Sequence, residues 1–142
     1  MLISNSDPYR FLRIVLIADA GSCVATGALQ SLLTNSLAEL FSLPVALLAA
    51  TGWFLLAYAA LVGTIALRDP LPRPLVWLLV AGNVSWGIAC VLLLAGRWLA
   101  PTPWGAAWIL AQAATVTVLA MLQWTGLRRS GDARVGPEAF GR

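Results

Sequence analysis

Residues 13–33 read RIVLIADAGSCVATGALQSLL, an apolar run of membrane-spanning length that carries a single acid, Asp19. Asp19, Ser22, Cys23, Thr26 and Gln30 follow one another at steps of three and four, so on a helix they share one face. Ile14, Val15, Ile17, Ala25 and Leu29 make up the other face. A carboxyl group within a membrane span is costly, and it faces a partner or a cavity rather than lipid. The run therefore predicts a transmembrane helix whose polar face is turned inward.

The surrounding chain has the same character. Its 142 residues are 60% hydrophobic and 11% charged, and the mean hydropathy is +0.83. That composition is too apolar for a soluble domain of this size, and the apolar residues come in blocks. The expected fold is an all-α membrane protein with four transmembrane helices in an antiparallel up-down bundle. The expected spans are residues 11–33, 44–67, 74–95 and 103–127, after a short N-terminal segment (1–10). A flexible tail (128–142) follows them.

Local signals place the ends. Asp7-Pro8 favours a turn ahead of the first span. Arg10 and Arg13 before an apolar run resemble a leader peptide, but Asp19 would interrupt its apolar core, so the segment reads as an anchor helix. Thr34–Leu43 reads as a short connection, after which Pro44 fits the first turn of the second span. The proline-stiffened turn Arg68-Asp69-Pro70-Leu71-Pro72-Arg73-Pro74 is expected to lay the second and third spans side by side. Gly96 is a C-terminal stop for the third span. Thr102 is an N-cap for the fourth, with Pro103 at its first position.

The net charge is +3, and every basic residue is an arginine. Eight of the nine fall in the N-terminal segment, the 68–74 turn or the tail; only Arg97 falls on the opposite side. The positive-inside rule then puts both termini in the cytoplasm and the protein in the cell's inner membrane. Trp98, Trp104 and Trp108 suit an outer aromatic belt, and Tyr9, Trp77 and Trp124 an inner one. The arginines serve topology, and no nucleic-acid partner is expected.

The chain has no histidine, which removes His-ligated haem, most zinc and copper sites and imidazole acid–base chemistry. There is no phosphate-cradling glycine motif, no paired carboxylates and no Ser/His or Cys/His arrangement. A non-enzymatic protein without cofactor or metal is expected.

At a rise of about 1.5 Å per residue, Asp19, Tyr58, Asn83 and Thr117 all lie about 12–15 Å from the cytoplasmic helix ends, one on each span. They form a predicted polar rung, with Trp86 as a wall above Asn83. Such a rung either binds a proton, an ion or a small polar ligand, or pins the helices together. Cys23 and Cys90 are expected to be free thiols, and Gln30 is placed to meet Gln112. Small residues four apart (Ala18/Ser22/Thr26, Ala59/Gly63, Ala107/Ala111) mark close helix contacts inside the chain or between copies. Two functions follow: binding or transport of something small, with the chain as a homo-oligomer, or an accessory role in a larger membrane complex with a purely structural polar core.

Overall fold

The computed structural model describes residues 9–132, so the turn expected at Asp7-Pro8 and the tail beyond Asp132 lie outside the described residues. Within that range the chain forms five helices. They are α1 (Arg10–Leu32), α2 (Thr34–Phe41), α3 (Val45–Ala66), α4 (Arg73–Ala95) and α5 (Pro103–Asp132). Four of them, all but α2, are long and apolar enough to cross a membrane. Many of their large apolar side chains point outward, including Trp53, Phe54, Leu78 and Ile88. Exposed apolar side chains in such number are what a lipid solvent permits and water does not.

The ends follow local chemistry. The Thr102 hydroxyl accepts from Gly105 N–H at 3.1 Å, the N-cap bond expected of it. α4 stops at Gly96, whose N–H donates to Leu92 O at 2.8 Å. The left-handed residue there is Arg97, at φ 53°. α5 does not end near Leu127 but continues to Asp132, so residues 128–132 are helical.

Two expectations about connections change. Residues 34–41 are not plain linker: Leu37, Ala38 and Phe41 of α2 are buried against Leu48, Ile109 and Ala113, closing one end of the molecule. Likewise, α3 does not lie along α4. The long contacts are α1 with α3 and α4 with α5, while α3 and α4 touch little.

α1 and α3 approach closely because each has a glycine at the crossing. A methyl group added at Gly27 would lie 2.8 Å from Gly52 O, and one at Gly52 would lie 2.8 Å from Ser31 Oγ. Toward the other end of this pair, Arg13 is 2% exposed. Its Nη1 donates to Ala66 O at 2.7 Å and to Arg68 O at 2.8 Å. Its Nη2 donates to Asp69 Oδ1 at 3.3 Å. A guanidinium thus caps the carbonyls that α3 leaves unsatisfied at its C-terminus. In the second pair, Arg73 Nη2 of α4 donates to Leu127 O on the flank of α5 at 3.1 Å. Between these two arginines, Leu12, Leu16, Val62, Ile65, Val76, Leu79 and Leu127 form one buried cluster drawn from all four long helices.

Candidate functional site

Asp19 has no exposed surface. Its Oδ2 accepts from Gln123 Nε2 at 2.6 Å and from Asn83 Nδ2 at 3.0 Å. The second Asn83 proton goes to Gln123 Oε1 at 3.2 Å. Oδ1 receives the Cys23 thiol, at 3.6 Å. One acid and two amides from α1, α4 and α5 therefore close a buried clasp. Asn83 and Gln123 are themselves 3% and 0% exposed.

The residues expected on one rung divide. Asp19 and Asn83 meet as expected. Tyr58 lies nearby but spends its hydroxyl on Leu79 O at 3.4 Å, with its ring 3.8 Å from where a Gly82 methyl would stand. Thr117 is not on the rung. It lines an outward groove between α4 and α5, and its hydroxyl donates back to Ala113 O at 2.7 Å. Gln123 takes its place. The depth of Thr117 rests on a fourth span ending at residue 127, and five further residues move the helix end by about 7.5 Å. Counted from Asp132, Gln123 stands nine residues in, matching Asp19 counted from Arg10.

Gln30 does not meet Gln112 either; Thr51 Oγ lies 2.9 Å from Gln30 Oε1. Cys23 and Cys90 are free and buried. They sit in different apolar clusters, Cys23 with Leu55 and Ala59, Cys90 with Ile109 and Ala113.

A cavity of about 230 Å³ adjoins the clasp on the side away from Arg13. Ser22, Cys23 and Thr26 of α1 face Gln112 and Thr115 of α5 across it, with Leu55, Trp86 and Trp108 among its walls. At about 30 Å³ per water it has room for about seven waters or one small organic molecule. Cys23 belongs to both features, since it lines the cavity and bonds Asp19. Trp86 stacks on Phe54 with centroids 5.4 Å apart, and Trp108 on Phe41 at the same distance. Both indole Nε1 atoms are buried and have no hydrogen-bond partner among the described residues. A buried donor without an acceptor costs about 1–3 kcal/mol. Trp86 is thus a wall as expected, but of this cavity. Among the described residues, no three of His, Cys, Asp and Glu come together as a metal site would require.

The chain matches no model of a known protein family, no curated protein and no solved structure.

Proposed function

We propose that this is a small, non-enzymatic, multi-pass membrane protein whose interior holds a small polar ligand, ion or proton, with the Asp19–Asn83–Gln123 clasp as the floor of the site. The observation that carries this reading is the junction at Cys23. The cavity opens onto a thiol that donates to Asp19 Oδ1, the carboxyl oxygen to which neither amide is bonded. The hydroxyls of Ser22 and Thr26 and the Gln112 amide add polarity on the facing helices. An intramembrane acid beside a polar cavity is the usual signature of such a site.

On this reading the four spans run alternately across the inner membrane, and both termini and the 68–74 turn lie in the cytoplasm with eight of the nine arginines. Four helices enclose little room, so transport calls for two or more copies.

A second reading has one observation in its favour. Asp19 is 0% exposed, and its oxygens are bonded within the chain. That is how a purely structural core looks, and an accessory subunit of a larger membrane complex needs no more.

Vesicles containing the purified protein distinguish the two. Proton uptake is followed with an enclosed pH dye while a potassium gradient and ionophore impose a potential. The site reading expects uptake by wild type and its loss in Asp19→Asn, a variant that keeps the shape of the side chain and folds normally. No uptake by wild type, together with stoichiometric copurification of a larger membrane partner in mild detergent, favours the accessory reading.

A further inference from the structure

An outward-facing groove of about 890 Å³ runs between α4 and α5, and neither the clasp nor the small cavity uses it. We propose that it seats an acyl chain of an anionic phospholipid, with the headgroup phosphate held at Arg128. The proposal shares with the preceding section only the premise that these helices cross a bilayer, and it is independent of any role for Asp19.

Three observations carry it. The walls are apolar, with Val84, Ile88, Val91, Val118 and Met121 among them, all exposed. Thr117 brings the one side-chain hydroxyl of the lining, and it is already bonded to Ala113 O. A polar occupant would find nothing to bond along most of the groove.

The dimensions come next. On α4 the groove extends from Trp77 to Leu92, about 22 Å at 1.5 Å per residue. On α5 it extends from Trp124 to Ala113, about 16 Å. One leaflet of hydrocarbon is about 15 Å deep, so the groove spans roughly a leaflet.

The third observation is the mouth. Trp77 and Trp124 stand at one end, on the side of the cluster that Arg13 and Arg73 close, and both are exposed. The Arg128 guanidinium lies over the Trp124 ring, 4.2 Å from its centroid. Tryptophan rings sit at the level of the headgroups. An arginine stacked there holds a fixed cation where a lipid phosphate lies and offers it a fork of N–H donors. Apolar slot and cation thus sit in the order of a lipid's own parts.

The test is native mass spectrometry of detergent-solubilised protein, delipidated and then titrated with phosphatidylglycerol or phosphatidylcholine. Wild type is expected to retain phosphatidylglycerol in preference to phosphatidylcholine. Arg128→Gln should still bind lipid but lose about fivefold of that preference, the equivalent of about 1 kcal/mol for one basic residue at an anionic surface. Ala114→Phe, which fills the groove from an exposed position, should lose retention of both lipids, with thermal unfolding as the check on folding. Val118→Trp serves the same purpose if Ala114→Phe fails that check. Retention unaffected by either filling variant overturns the proposal. So does a dimer that the filling variants dissociate with no change in bound lipid, which would make the groove a contact between copies.

Discussion

At the scale of single residues, two charged side chains are buried among the described residues, and they perform different work. Arg13 serves the backbone: it bonds the carbonyls of Ala66 and Arg68, more than fifty residues away in the chain. Hydrogen bonds to a charged donor contribute about 1.5–3 kcal/mol. Arg13→Met keeps an unbranched apolar stem and removes both bonds. It should lower stability by about 2–4 kcal/mol, read as a fall in the midpoint of unfolding in denaturing detergent. An unchanged midpoint would mean that water caps α3 equally well. Asp19 serves other side chains. Asp19→Leu leaves the Asn83 and Gln123 amides facing an apolar group and should cost about 1–4 kcal/mol. Asp19→Asn should cost less than about 1 kcal/mol, because its amide oxygen still accepts. Equal losses in the two variants would show that charge, not hydrogen bonding, holds the clasp. Asp19 was legible in the sequence because an acid in an apolar run has few bland explanations. Arg13 was not, because an arginine at a helix start already has one in the positive-inside rule, and its partners are remote in sequence.

At the scale of elements, the four long helices were readable from hydropathy and prolines, with three of them ending within a residue of expectation at either end. The fourth was not. Arg128 and Arg129 look like a span's end, yet helix and apolar span need not stop together, and α5 carries its arginines one turn further as helix. That error in the end point moved Thr117 onto the rung and Gln123 off it. Pairing was misread for a separate reason. About six residues separate α3 from α4 and reach about 20 Å when extended, twice the 8–10 Å between packed helix axes. A short link limits how far apart two helix ends lie without making the helices touch. What selects α3 as the neighbour of α1 is the surface: Gly27 meets Gly52 with backbone against backbone. Gly52→Leu should therefore force the pair apart and destabilise the protein by about 1–3 kcal/mol or more. Gly63→Leu, where an added methyl group meets nothing within 4 Å, should be near neutral. Comparing their unfolding midpoints checks this, and similar losses at both sites would refute the close approach.

At the scale of the whole molecule, the proposed orientation rests on where the arginines fall. Introduced cysteines at Arg68 and Arg97 should label from opposite sides of the membrane, with Arg68→Cys reached only from the cytoplasm. Reaction of Arg68→Cys from outside intact cells would invert the topology. Two arginine bonds bear on assembly. Arg13 ties α1 to α3 and Arg73 ties α4 to α5, each joining the helices of one half of the chain. Side-chain bonds between the halves include those of Asp19 with Asn83 and Gln123, of Tyr58 with Leu79 O beside them, and of Thr102 with Leu40 at the far end. The chain is then two helix pairs that share an apolar cluster and, beside it, a buried polar fastener centred on Asp19. Cut between Arg68 and Pro72 and produced as two polypeptides, the halves should each enter the membrane and find one another there. Asp19→Leu should leave both inserted and apart. Genes that encode the two pieces separately would thus give a working protein, and Asp19 would be the residue by which each piece recognises its other half.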